Sequence, residues 1–270
     1  MANNLVKRLI TGVLGSAFGI IMVVYNFYTF SALCLLLAFL LMTEFYTIMS
    51  EYKPLKWLGV ASGMGMVLTA SLMKLGYIRE IYFVPFVMIL SLVPIAALFD
   101  KNRNIIHTMS ATYLGFIYIT LPLILFVFMS GEPENYNRFL LLGMFLIIWS
   151  NDTGAYFAGK TLGKHKLFER VSPNKTIEGT VGGIILAFII ISILFYFYPS
   201  LSLIKWFILT LIVSIAGSLG DLVESQMKRT LKIKDSGSIL PGHGGFLDRF
   251  DALIFALPFG YCCYVCFNLI

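Results

Sequence analysis

About nine apolar runs of roughly 17 to 21 residues, joined by mostly short polar links, leave this chain few ways to fold. A bilayer core takes a helix of about 20 apolar residues, and in lipid each backbone N–H and C=O must be satisfied within the spanning structure. We place the runs near 9–26, 29–49, 57–73, 82–99, 109–129, 139–158, 180–198, 206–224 and 251–268. Pro54, Pro133, Pro173, Pro199 and Pro241 punctuate the links, as helix breakers should. The expectation is an all-α integral membrane protein, a polytopic bundle of about nine transmembrane helices. Composition agrees: charged residues are 13% of the chain, about half the usual share of a soluble domain, and the mean hydropathy is +0.86.

Lys7 and Arg8 precede the first run, and no small-residue cleavage site follows it, so the segment reads as a retained span rather than a signal peptide. The four cysteines, Cys34, Cys262, Cys263 and Cys266, lie in apolar stretches without metal-ligand spacing and read as helix fillers. Orientation follows from basic charge. With the N-terminus in the cytoplasm and the C-terminus external, sixteen of the twenty Lys and Arg residues fall on the cytoplasmic side. Lys74, Arg79, Arg138 and Lys205 fall on the other. The only long links, 159–179 and 225–250, are both cytoplasmic and basic. Residues 1–137 therefore read as an N-terminal group of about five spans. Residues 138–270 read as a catalytic region of about four. The basic links lie tight against the bilayer and lack stacking aromatics, so no nucleic-acid partner is expected; anionic membrane lipids are the simpler match.

Carboxylates inside apolar spans are costly and point to function. Asp152 lies late in the sixth run, Asp221 and Glu224 close the eighth, and Asp248 and Asp251 open the ninth. Asp221, Glu224, Ser225 and Lys228 are spaced by three, four and seven, which puts them on one helical face. Paired carboxylates at an interface suit a hard divalent ion that also binds phosphates. Either reading holds for each: ligand, or structural partner of a nearby Lys or Arg. The turn Pro241-Gly242-His243-Gly244-Gly245 precedes a helix, where glycine backbone and the helix N-terminus can receive an anion. Lys228, Arg229, Lys234 and Arg249 flank it. Ser172 or Thr176 can cap the seventh helix, and Lys160 and Lys175 are candidate phosphate partners. His107 and His165 read as solvated.

The window from Ser225 through Lys228-Arg229, Lys234-Asp235 and the glycine turn to Asp248-Arg249-Phe250-Asp251 resembles the signature of the phosphatidate cytidylyltransferases, the CDP-diacylglycerol synthases. So do Asp152-Thr153-Gly154-Ala155-Tyr156, Gly159-Lys160 and Ser172-Pro173-Asn174-Lys175-Thr176-Ile177-Glu178-Gly179. The resemblance implies transfer of the cytidylyl group of CTP to phosphatidic acid with Mg2+, and it suggests K+ beside it. It implies catalytic roles for Asp221, Lys228, Asp248, Arg249 and Asp251. Substrate contacts would come from Lys160, Lys175, Ser225, Arg229, Lys234, His243, Gly244 and Gly245. Metal ligands would be Asp221, Asp248, Asp251 and Asp152, with Glu178 in a lesser place. A homodimer is compatible with the family, and the compact chain suits a bacterial inner (cytoplasmic) membrane with the active site facing the cytoplasm. Two other readings stand beside it. A CTP-dependent polyprenol kinase would need a base for a neutral alcohol. A transporter would place its ion sites near the midplane, whereas these carboxylates gather at one face.

Overall fold

The computed structural model describes residues 2–101, 103–199, 201–237 and 244–269. It is dominated by helices: α1 (Ala2–Tyr25), α2 (Phe27–Ile48), α3 (Lys56–Lys74), α4 (Val84–Phe99), α5 (Ile105–Gly115), α6 (Leu121–Met129), α7 (Arg138–Leu162), α8 (Ile177–Phe197), α9 (Leu203–Thr230) and α10 (Leu247–Leu269). A π turn, Phe116–Thr120, joins α5 to α6 into one stretch. Pro122, which offers no backbone N–H, lies just beyond it.

Among the described residues, seven helical stretches are long and apolar enough to cross a membrane, against the nine expected. Gly12–Tyr25 is a shorter apolar helix. α3 is outside the seven because Ser, Thr and Gly interrupt it and Lys bounds it at both ends. The chain is an integral membrane protein of helical type.

Three expectations are corrected. The protein is not wholly α: β1 (Lys166–Phe168) and β2 (Ser172–Thr176) form an antiparallel pair with Lys166 opposite Thr176 and Phe168 opposite Ser172. The first long link shortens because α7 runs to Leu162 and α8 starts at Ile177. The second shortens because α9 continues to Thr230; Ser225 and Lys228 lie on the helix as their spacing predicts, and Arg229 lies there with them. Polar residues do not end a helix when their side chains find partners a turn away.

The chain divides into two compact units. The first comprises residues 1–136 and 235–249; the second comprises 137–234 and 250–270. In the first, Asn26 and Thr29 form a reciprocal capping box that starts α2 immediately after α1. Its core includes Phe30 set edge-on to Phe126 at 5.0 Å. Tyr46 is buried between Gly59 and Gly115 and donates to the Thr112 carbonyl at 2.8 Å. In the second unit, Trp206 is fully buried against Gly143.

α7 and α8 approach most closely along small residues. An added methyl at Gly154 would lie 2.8 Å from the Gly182 carbonyl oxygen, and one at Gly183 would lie 2.5 Å from that of Asn151. Gly179 and Gly183 are four apart, as are Gly154 and Ala158, the spacing that lets membrane helices bring their backbones together.

Candidate active site

In the second unit, α7 supplies Asp152, α9 supplies Asp221 and α10 supplies Asp251. Asp152 interacts electrostatically with Asp221 and Lys175. Asp251 interacts with Asp221, Glu224 and Asp152. Asp251 is buried, and its Oδ1 accepts the Ala252 N–H at 2.7 Å.

The cation facing these carboxylates comes from the hairpin. β2 ends at Thr176, whose Oγ1 accepts the Gly179 N–H at 3.1 Å and caps α8. One residue earlier, Lys175 extends its Nζ to 2.5 Å from Asp221 Oδ2. Ser225 donates from Oγ to Asp221 Oδ1 at 3.3 Å. Glu178 holds the hairpin: its carboxylate accepts the N–H groups of Lys164 and His165, each at 3.1 Å, and meets His165 Nδ1 at 2.5 Å. His165 is therefore a partner of Glu178 rather than a purely solvated residue.

Beside this group, Glu224 is 1% exposed and pairs with Lys228 one turn on, at 2.6 Å. Of the two readings open for Glu224, partner of a neighbouring cation is the one the structure supports. Lys160 Nζ sits 5.8 Å from the Tyr156 ring centre, and Arg229 and Lys234 are exposed.

The first unit holds Asp248, Arg249, Gly244 and Gly245. Asp248 Oδ2 accepts the N–H groups of Ser236 and Gly245, both at 3.0 Å. Gly244 has φ +83°, a left-handed conformation that favours glycine. Arg249 is exposed. His243 lies outside the described residues. Sequence reasoning passed over Glu44 of α2. It is 3% exposed and accepts the Phe246 N–H at 2.7 Å, the Leu247 N–H at 3.3 Å and the Ser236 hydroxyl. The signal was available, since Glu44 is an acid inside an apolar run, as Asp152 is.

The second unit's site can bind an anion at Lys175 and can place oxygen donors around a cation. Its donors are carboxylate and hydroxyl oxygens, the chemistry of a hard ion. Among the described residues, no three His, Cys, Asp or Glu side chains converge on a single ion position.

A family model described as the cytidylyltransferase family matches residues 6–267. The chain is similar to the phosphatidate cytidylyltransferase of Bacillus subtilis, 45% identical over 166 residues, 60% of each chain. It is similar to that of Staphylococcus haemolyticus, 44% identical over 161 residues, 59% of this chain and 60% of the other. A third, from Staphylococcus saprophyticus, is 36% identical over 225 residues, 83% of this chain and 85% of that protein. The match to the first two thus spans about 60% of the relatives' length.

Proposed function

The chain belongs to the cytidylyltransferase family, and we propose that it transfers the cytidylyl group of CTP to phosphatidate, forming CDP-diacylglycerol and releasing pyrophosphate. The observation carrying this reading is the Lys175–Asp221 ion pair set among Asp152 and Asp251. In this reading a phosphate oxygen of the lipid attacks the α-phosphorus of CTP. A P–O bond forms there, and the bond from that phosphorus to the bridging oxygen breaks as pyrophosphate departs. A phosphate monoester is already ionised near neutral pH, so the site needs no strong general base.

Lys175 meets the triphosphate as a cation whose position Asp221 holds, and such fixed charge is worth most where phosphate charge develops. Lys160, Lys228, Arg229, Lys234 and Arg249 are assigned to the same anionic substrates. Ser225 orients Asp221. His243 and Gly244 are assigned to phosphate beside the start of α10; Gly245 lines the same turn, but its N–H is taken by Asp248, as those of Phe246 and Leu247 are by Glu44.

The oxygen donors fit magnesium, which takes one or two carboxylates and keeps waters and substrate phosphates. Asp221, with Asp152 or Asp251, would hold it; Asp248 is kept as a separate candidate. When bound, Mg2+ neutralises phosphate charge. Potassium beside it belongs to the same proposal. On the nine-span reading, the fall of sixteen of the twenty basic residues on one side supports an N-terminus in the cytoplasm, an external C-terminus and an active site facing the cytoplasm of a bacterial inner membrane. A homodimer completes the proposal.

The test uses the whole chain in liposomes with phosphatidate, Mg2+ and CTP labelled on either the α- or the γ-phosphate. Label reaching phosphatidate from the α-position, with pyrophosphate released, is the expected result. Label reaching an added polyprenol from the γ-position would make the protein a kinase. No transfer from either position in folded protein would overturn the enzymatic reading and favour transport.

A further inference from the structure

Glu44 is a buried carboxylate with no place in the reaction described above. Its partners are Ser236 on one side of residues 238–243 and Phe246 and Leu247 on the other. Those two amides belong to the first turn region of α10, where backbone N–H groups have no intrahelical acceptor. Asp248 Oδ2 accepts the neighbouring N–H groups of Ser236 and Gly245. Two carboxylates from different helices therefore share Ser236 and take three successive amides, 245 to 247. Their environment leaves little slack. Side chains at Gly237 or Gly245 would collide with Glu44, and at Gly245 also with the Ser236 hydroxyl.

A buried carboxylate is tolerated when several donors satisfy it. A single anion is also well suited to several N–H groups converging at a helix start. We propose that Glu44 is a positioning residue of the cytidylyl transfer: it fixes Ser236 and the first amides of α10, and through them the side chain of Asp248. Glu44 touches no substrate in this assignment. The inference rests on the proposed function only for its catalytic consequence, because the hydrogen bonds exist whatever the reaction.

Glu44→Gln keeps the size of the side chain, replaces one acceptor oxygen by an NH2 donor and removes the charge. In the full chain in nanodiscs, amide exchange at Phe246 and Leu247 should then accelerate by about tenfold or more, the factor expected for loss of a charged hydrogen bond. With phosphatidate and CTP, kcat should fall by about 100-fold, the scale for a small misplacement of a reacting group. The KM for phosphatidate should move less than about threefold, since ground-state binding is spared. A gentler variant, Ser236→Ala, removes one donor and should lower kcat about three- to tenfold, also with KM retained. It decides the matter if Glu44→Gln does not fold. Wild-type exchange at Phe246 and Leu247 in folded Glu44→Gln would overturn the proposal, as would an unchanged kcat in both variants. If the natural chain transfers no label from CTP, the functional reading fails alone, and the exchange arm still decides the role of Glu44.

Discussion

Replacing Gly183 by alanine tests whether the α7–α8 approach sets the geometry of the candidate site. A methyl at 183 would lie 2.5 Å from the Asn151 carbonyl oxygen and 2.7 Å from its Oδ1, whereas ordinary contact begins at 3.4 Å. The first obstacle is backbone, so a rotamer change cannot relieve it. The helices must part by the shortfall, about 0.9 Å, and overpacking of this kind costs about 1–3 kcal/mol. Asp152 follows Asn151 directly, so the same shift changes its position relative to Lys175, with which it interacts. A misplacement near 1 Å is worth up to about 100-fold in rate. Transfer of α-labelled CTP to phosphatidate in liposomes, with thermal unfolding in detergent on the same preparation, reads both effects. Gly15 and Gly19 have nothing within 4 Å of an added methyl. Alanine at either should leave rate and melting unchanged, or raise stability by about 0.5–1 kcal/mol. Gly183→Ala with natural rate and natural melting would refute the reasoning.

Lys228→Ala leaves the buried Glu224 without the partner it meets at 2.6 Å, and should cost about 3–5 kcal/mol. The double variant Lys228→Met with Glu224→Gln should recover much of that, and equal melting of single and double variants would contradict the assignment. Thr176→Ala removes the cap of α8 and should cost about 1 kcal/mol, while Thr176→Ser stays near the natural protein; chemical denaturation checks the pair. Asp221→Asn removes the charge that holds Lys175 and should cut transfer from CTP by about 100-fold or more in folded protein. Radiolabel counting would detect residual activity well below that level.

The membrane character of the chain and most helix positions were legible because lipid imposes one dominant rule. An apolar run of sufficient length satisfies its backbone as a helix, whatever its neighbours do. The acidic residues of the candidate site were legible for the same reason, since Asp152, Asp221 and Asp251 stand out against apolar surroundings. Helix ends were less legible. Ser225 and Lys228 lie beyond the apolar run and only their helical spacing marks them; Asp221 takes Ser225 and Glu224 takes Lys228 across single turns, and α9 continues to Thr230. The pairing of residues 166–168 with 172–176 escaped notice because a hairpin of so few residues has almost no periodicity to read.

What the sequence by itself determined was the class of protein, its family and the residues able to carry charge beside apolar spans. These depend on residue type and spacing, which the chain states outright. The tertiary structure alone decided which charges meet. Lys175 joins Asp221 across 46 positions, and Glu44 reaches Leu247 across 203. Buried charge must find a partner wherever folding offers one. That choice is made by how helices pack, in particular by the glycines that bring α7 and α8 together, and no local pattern in the chain records it.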